Sequence, residues 1–236
     1  MAFVHGKTTT IFLNAVDFST YFNSADTTRT ADVAETTTFG SSNKTYIAGN
    51  MDGTVSMSGF FDATADATIQ PLLGGSDCLL TFGIDTLAAT KRVRFGNGNI
   101  TNYGVSSPVG DVVATSIDFQ ADKGLYDGIV LENATYTSTT TGTARDNGAA
   151  TTNGGSAFLI VSARSGTSPT ADVKIQHSAD NVTYADLVTF TQATAVGSEI
   201  KYVAEGTTVN RYLKIVATIG GSTPSFSAIV GFGRNK

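Results

Sequence analysis

Two histidines and one cysteine are the residue types in this chain best suited to acid–base or nucleophilic chemistry. The histidines are His5 and His177, and the cysteine is Cys78. His177 alternates with Val173 and Ile175, which places it on the apolar side of a predicted strand and favours a structural role. Cys78 precedes two leucines, a setting typical of a small buried thiol rather than of an activated one. No nucleophile has an adjacent base in this pattern, so we expect that the protein is not an enzyme.

Three short segments contain the residue types of cofactor or metal loops. Gly96-Asn97-Gly98 begins like a dinucleotide loop but lacks the third glycine, so it predicts a hairpin turn. Asp146-Asn147 and Asp180-Asn181 offer oxygen ligands without the spacing of a calcium loop, and they predict ordinary turns. We therefore expect neither a cofactor nor a metal site.

The composition favours strands and turns over helices. Threonine is abundant, there are 25 glycines and no tryptophan, and only 15% of the residues are charged. This profile predicts an all-β chain. Residues 1–22 lack the pattern of a signal peptide and no window is apolar enough to span a membrane, so we expect a protein that stays in the cytoplasm of the cell that makes it. A single cysteine excludes an intramolecular disulfide.

Charge is distributed unevenly along the chain. Through Thr140 there are 7 Lys and Arg against 14 Asp and Glu, and from Thr141 onward there are 8 against 6. The first part is therefore acidic, with a net charge of −7, and the second part has a net charge of +2. An acidic surface repels the phosphates of DNA, because tight binding needs clustered cations. We expect DNA to pass such a surface without binding to it.

The first part of the chain predicts several strands and one helix. Thr54–Phe61 and Asp111–Phe119 alternate between apolar and polar residues, as half-buried strands do, and Gly128–Tyr136 is a further candidate. Asp62–Leu73 predicts a short helix that begins near Asp62 and ends before Gly74–Gly75. One helix packed on a β-barrel or sandwich fits this order.

The second part of the chain predicts a compact antiparallel sandwich. Thr137–Gly155 has no periodicity and reads as a linker. After it, Ala157–Val161 predicts a central strand, and Val209–Ile215 and 225–232 predict two later strands. The resulting division is a first domain at 1–140, a linker at 141–155 and a second domain at 156–236.

A long polar segment, Asp17–Gly49, contains large aromatic residues without a clean period. A structureless segment of this length is unusual inside a monomer. Its aromatic side chains either fold over the chain's own barrel or contact a neighbouring subunit, since such residues anchor interfaces well. The candidate interface residues are Phe18, Tyr21, Phe22, Phe39 and Tyr46.

Several motifs resemble those of one structural family. The hairpin DVKIQHSADNVTYADL at Asp172–Leu187, the threonine-rich Thr189–Ala195 and the strand VNRYLKI at Val209–Ile215 resemble the C-terminal β-domain of major tail tube proteins of long-tailed, non-contractile bacteriophages. The first part is similar to the same family in the order and spacing of three motifs. They are TTTFG at Thr36–Gly40, KTYIAG at Lys44–Gly49 and DGTVSMSGFFD at Asp52–Asp62.

The resemblance implies a fold and a role. The fold would be a tail-tube β-barrel or sandwich with one short helix and a long loop, followed by a smaller immunoglobulin-like β-sandwich. Subunits of this family form hexameric rings that stack into a hollow, acidic conduit for phage DNA, and Asp17–Gly49 would be the stacking loop. The partners would be further copies together with tape-measure, tail terminator and tail-tip proteins. The protein would be in the virion tail, and in the host cytoplasm during assembly.

A second hypothesis is a carbohydrate- or surface-binding adhesin module. In that interpretation, Ser156–Phe232 is the ligand domain and the first part of the chain supports it. Sugar binding commonly uses exposed aromatic rings, and this part of the chain offers few of them. The main candidates are Tyr184, Tyr202 and Tyr212.

Overall fold

The computed structural model describes residues 4–75 and 77–235. Strands account for 61% of the chain and helices for 6%, which confirms the all-β prediction. The only α-helix among the described residues is α1 (Ala63–Ile69), and 3-10 turns occupy Gly6–Thr8 and Gln70–Leu72. The strands are β1 (Thr10–Leu13), β2 (Val16–Asp17), β3 (Phe22–Glu35), β4 (Tyr46–Phe60), β5 (Cys78–Gly83), β6 (Arg92–Ser106), β7 (Ala114–Ala121), β8 (Tyr126–Tyr136), β9 (Thr140–Thr141), β10 (Arg145–Asp146), β11 (Gly155–Ser178), β12 (Ala185–Thr189), β13 (Gly197–Val203) and β14 (Tyr212–Arg234).

The chain forms two compact units that are interleaved in sequence. The larger unit contains Met1–Ser19, Leu79–Phe95 and Tyr126–Lys236, and the smaller unit contains Thr20–Cys78 and Gly96–Leu125. Contacts thus group the chain differently from the sequential division predicted above, which placed a boundary at 141–155.

The core of the larger unit lies on both faces of the strands β8, β11 and β14. β14 pairs with β11 on one side and with β8 on the other. Leu159 of β11 lies in one apolar cluster, whereas its neighbours Phe158 and Ile160 lie in a second cluster on the opposite face. A strand buried on both faces has no polar alternation. This explains the unbroken apolar run Ala157–Val161 and confirms that it is a central strand.

β11 and β14 pair with each other along most of their length, from Gly155↔Arg234 to Ser178↔Tyr212. The sequence predicted two separate late strands, at Val209–Ile215 and 225–232, but the structure joins them into one strand. Register shifts on both sides of Thr167 leave several polar residues in the middle of the ladder unpaired, and regular pairing is present before and after them.

The segment predicted as a linker runs along β14. β9 and β10 both pair with β14, and Thr151 forms an isolated bridge with Val209. Arg234 fixes this region by donating hydrogen bonds to Thr151 Oγ1 at 2.9 Å, to the Val209 carbonyl at 2.6 Å and to the Asn210 carbonyl at 2.6 Å. Within the segment, the backbone N–H groups of Gly142, Asn147 and Thr151 donate to the carbonyls of Ile215, Arg211 and Val209 at 2.8, 3.0 and 3.0 Å, so the predicted linker is hydrogen-bonded structure.

The smaller unit is built on a four-stranded antiparallel sheet in the order β3-β4-β7-β6. The alternation predicted for its two central strands is confirmed, because Val55 and Met57 of β4 and Ile117 and Phe119 of β7 are buried. Phe61, predicted to share the buried face, lies beyond the end of β4 and is exposed.

The predicted helix is also confirmed. The Asp62 carboxylate accepts hydrogen bonds from the backbone N–H groups of Thr64 and Ala65 at 2.8 and 3.1 Å, which satisfies two donors that a helix N-terminus otherwise leaves free. The α-helix ends at Ile69, and the chain continues as a 3-10 turn that contains Pro71.

The prediction of a hairpin turn at Gly96-Asn97-Gly98 is wrong. All three residues lie inside β6. A Cβ atom at Gly98 would overlap the carbonyl oxygen of Gln120 on the neighbouring strand. The glycine therefore permits a close approach of two strands rather than a turn.

Candidate functional site

Cys78 and His177, two candidates for nucleophilic or acid–base chemistry, have structural roles. Cys78 is a buried free thiol, and its pKa is raised to about 11 by burial and, secondarily, by the charge of Asp77. His177 is half-buried, and its Nδ1 accepts a hydrogen bond from the backbone N–H of Asn210 at 3.3 Å. Burial lowers the pKa of His177, with the Arg234 charge as the second cause. The neutral imidazole thus accepts a hydrogen bond from the N–H of Asn210, the residue whose carbonyl accepts a hydrogen bond from Arg234.

In the two oxygen-rich turns, the carboxylates of Asp146 and Asp180 accept hydrogen bonds from groups of their own chain. Asp180 accepts hydrogen bonds from the backbone N–H groups of Val182 and Thr183, both at 2.9 Å, and these bonds lower its pKa to about 2. Asp146 accepts two hydrogen bonds from Arg211, at 2.7 and 2.6 Å, and its pKa is likewise lowered to about 2. Within 4–75 and 77–235, no three His, Cys, Asp or Glu side chains are grouped closely enough to hold a metal ion.

The tyrosines that the adhesin hypothesis needs are engaged with neighbours. The Lys214 Nζ lies 3.5 Å from the centre of the Tyr184 ring, and the Arg211 Cζ lies 5.0 Å from the centre of the Tyr212 ring. The Tyr202 ring packs at 5.9 Å from that of Tyr126. Cations thus cover one ring face of Tyr184 and one of Tyr212, which reduces the aromatic surface available for stacking on a sugar. Tyr202 is 40% exposed.

Part of the predicted loop Asp17–Gly49 is an extended β-hairpin. Beyond the pair Ala31↔Met51, β3 and β4 stay paired as far as Glu35↔Tyr46. We call residues 31–51 the arm, and each of them is exposed. At its tip the Thr36 N–H donates to the Thr45 carbonyl at 2.7 Å, which closes the turn.

The arm carries large apolar side chains that nothing in its own chain covers. Phe39 at the tip is 110% exposed and Val33 is 65% exposed. Opposed residues of an antiparallel pair share a face. The register therefore places Met51 on the sheet face that holds the buried Val55 and Met57 further along β4. The register shifts between Ala31 and Val33, and beyond it Val33 is opposite Ala48 whereas Ile47 is opposite Ala34. The exposed apolar side chains of the arm therefore lie on both of its faces.

The structure separates the five predicted interface residues into three groups. Phe18 lies in a segment of the larger unit and is completely buried, so its side chain cannot contact another copy in this conformation. Tyr21 and Phe22 are half-buried at the beginning of β3. Phe39 and Tyr46 are exposed on the arm.

Three further exposed apolar residues of the arm are not among the predicted interface residues, which are all aromatic. They are Val33, Ile47 and Met51. Each is a large apolar residue within an otherwise polar segment, and this was the signal that could have identified them.

The solvent-facing side of the smaller unit's sheet is polar and acidic. The register aligns Asp26, Ser56, Asp118 and Asn102 in one row across its four strands. The Asn102 Nδ2 donates to Asp118 Oδ2 at 3.0 Å and the Ser56 Oγ donates to Asp118 Oδ1 at 2.7 Å, and these hydrogen bonds lower the pKa of Asp118. The row therefore presents fixed negative charge at neutral pH.

This sheet belongs to the more acidic of the two units. The segments of the smaller unit contain 10 Asp and Glu against 3 Lys and Arg, a net charge of −7. The segments of the larger unit contain 10 against 12, a net charge of +2. The acidity that the sequence assigned to residues 1–140 is thus concentrated in the smaller unit.

No helix in the described part of the chain is long and apolar enough to cross a membrane. Among known proteins, no family model and no curated sequence matches this chain.

Solved structures do show similarity. A chain from the virion of a native gene transfer agent particle is similar to this protein at 15% identity and a TM-score of 0.44, covering 51% of this chain and 95% of its own. A chain of the SPP1 tail tube is similar at 11% identity and a TM-score of 0.45, covering 55% and 81%. The SPP1 Dit protein, a hub of the adsorption apparatus in phages that infect Gram-positive bacteria, is similar at 13% identity and a TM-score of 0.41, covering 97% and 99%.

Proposed function

We propose that this protein is a structural virion component, the major tail tube subunit of a long-tailed, non-contractile bacteriophage. Copies would form hexameric rings that stack into a hollow conduit for phage DNA. The observation that carries this proposal is the arm, which is exposed over its whole length and presents uncovered Phe39 and Val33 side chains. Exposed apolar surface of this kind marks a contact with another protein. The motifs TTTFG and KTYIAG, which resemble the tail tube family, lie within the same arm.

An unpaired sheet edge supports assembly into rings. Among the described residues, β4 is the strand that pairs with β3, so the other edge of β3 from Thr28 to Glu35 pairs with no described strand. Such an edge invites pairing with another chain, and closure into a ring protects it. By resemblance, tape-measure, tail terminator and tail-tip proteins would be the further partners in the tail.

We further propose that the acidic row on the smaller unit's sheet faces the bore of the tube. Asp26 and Asp118 would then repeat around each ring and from ring to ring. A wall of like charge repels the phosphates of the moving duplex, so DNA passes without being trapped. The net charge of −7 in the segments of this unit supports the assignment.

Shortening the arm tests the proposal. Residues 32–50 are replaced by Asn-Gly, which can join the opposed residues Ala31 and Met51 through a two-residue turn. The variant is expected to keep the melting temperature of the wild type, because the removed residues are exposed, but to form no tubes in negative-stain electron microscopy. Normal tubes from this variant would contradict the role of the arm. Wild-type rings that never stack would favour a hub role instead.

Charge reversal in the proposed bore tests the conduit. Phages carrying Asp26→Lys are expected to assemble normal tails but to eject DNA more slowly, because each ring would add attractive sites for phosphate. The matched control is Glu205→Lys, at an exposed carboxylate of the larger unit. Equal ejection rates for the two variants would remove the assignment of this face to the bore.

A further inference from the structure

A second exposed apolar surface lies at the end of the smaller unit's sheet opposite to the arm. Its members come from the end of β4, the end of β6 and the loop before β7. Val109 is 107% exposed and Phe60 is 54% exposed. We call this surface the end patch, and it consists of Phe60, Phe61, Val105, Val109 and Val112.

The strand register brings these residues to one edge of the unit. Phe60 of β4 is opposite Ala114 of β7, which in turn is opposite Ser106 of β6. Val105 directly precedes Ser106, and the Phe61 N–H donates to the Val113 carbonyl at 2.9 Å. The loop that carries Val109 and Val112 therefore joins the strand ends at this edge.

The arm and the end patch cannot meet within one chain. Both are attached to β4, the arm at its beginning and the patch at its end. The nine residue-to-residue steps from Met51 to Phe60 span about 30 Å in an extended strand. A paired strand is stiff, so the arm can reach an end patch only on another copy.

We propose that the end patch is the receptor for the arm of the next copy of this chain. This assignment rests on the proposed function and names the contact through which successive rings would join. Both surfaces have the same chemistry, large apolar side chains that are left in water by their own chain. Because the arm and the patch are different surfaces at opposite ends of one sheet, the contact is head-to-tail, and it repeats along an open stack when the rotation between copies does not close a ring. One contact type thus accounts for open-ended growth.

Two variants each remove one half of the contact. Val109→Asp with Val112→Asp places charge in the end patch, and Phe39→Asp places charge at the tip of the arm. All three side chains are exposed, so no core packing is lost. The matched control is Val182→Asp, because Val182 is 81% exposed in the larger unit, outside both surfaces. The control is expected to assemble as the wild type does.

Mixing the two defective variants gives the decisive result. Each variant alone is expected to need at least a tenfold higher concentration than the wild type before stacks form, as measured by sedimentation velocity and electron microscopy. The mixture retains one intact arm and one intact patch, so it is expected to form paired species that do not grow further. Two further single variants, Phe39→Cys and Val109→Cys, are each otherwise wild type. When they are mixed, a disulfide is expected to form between residue 39 of one copy and residue 109 of another.

Failure of this inference can be told apart from failure of the proposed function. If the wild type forms tubes and the end-patch variant forms them equally well, the receptor assignment is overturned while the tube role stands. If the wild type stays monomeric at every concentration and positions 39 and 109 do not cross-link, both are overturned.

Discussion

Asp180 shows how one side chain can fix a local structure at the residue scale. Its carboxylate accepts hydrogen bonds from Val182 N–H, Thr183 N–H and the Ser178 hydroxyl, and so it holds the turn between β11 and β12. These bonds favour the charged form. The folded-state pKa of about 2 therefore lies below the value of about 3.9 that is typical of an unfolded chain.

The linkage gives a pH prediction. A lowered folded-state pKa contributes stability that is complete above pH ~4 and is lost as the pH falls through about 2. Asp180→Asn is therefore expected to be less stable than the wild type at neutral pH, with a difference that shrinks between pH ~4 and ~2. Urea unfolding at several pH values measures this.

The control for this prediction is Glu205→Gln, which changes an exposed carboxyl of the same unit. Its stability is expected to follow the wild type across the same pH range. A difference for Asp180→Asn that stays constant with pH would show that the turn depends on shape rather than on charge.

Gly98 matters at the scale of the element, because it sets how closely β6 and β7 approach. A Cβ at this position would overlap the Gln120 carbonyl oxygen. Gly98→Ala is expected to destabilise the protein by about 1–3 kcal/mol through overpacking. Thermal unfolding followed by circular dichroism measures the change.

The matched control is Gly197→Ala in β13, where an added Cβ would meet nothing within 4 Å. A change within about 0.5 kcal/mol is expected for it. Equal effects for the two substitutions would mean that loss of glycine flexibility, and not the close strand approach, determines the cost.

The sequence predicts correctly those elements that have one buried face, but it does not predict the hairpin of the arm, which has no buried face. Alternation located the strands around Val55 and Ile117, and the cap at Asp62 located the helix. The arm has no buried face, so its residues carry no period-2 hydrophobic signal, and the sequence therefore predicts a loop there. Gly96 and Gly98 resemble turn residues in sequence because only the neighbouring strand shows why they are needed.

The same limit separated the candidate interface residues. Of these residues, Phe39 and Tyr46 are exposed, whereas Phe18 is buried. An aromatic residue in a polar segment looks the same in sequence whether its partner is its own core or another chain. The residues of the end patch are scattered over three elements, and only the register places them together.

Charge and topology belong to the whole molecule. The two units interleave because strands far apart in sequence are neighbours in space, as when β1 pairs with β5. Such long-range pairing is not readable from local patterns. The sequence divides at Thr140 into parts of −7 and +2, and the smaller and larger units, which are not continuous in sequence, have the same two net charges.

The acidity of the smaller unit predicts a salt dependence of assembly. The arm carries Asp32 and Glu35 against Lys44, and Asp111 is adjacent to the end patch, so both surfaces have an excess of negative charge. Screening this repulsion is expected to favour the contact, because the Debye length falls from ~30 Å at 0.01 M salt to ~10 Å at 0.1 M. The critical concentration for assembly, measured by light scattering, is expected to fall as salt rises. A critical concentration that rises with salt would indicate that ion pairs hold the copies together.

The position of β14 between β8 and β11 has a consequence for biosynthesis. β14 follows both of its neighbours in the sequence, and it fills the space between them. On the ribosome, the smaller unit, complete at Leu125, can therefore fold while the larger unit still lacks its central strand. Until β14 emerges, the facing edges of β8 and β11 are open to incorrect pairing with other nascent chains. Chaperone binding to the growing polypeptide is accordingly expected to peak between the synthesis of β11 and that of β14.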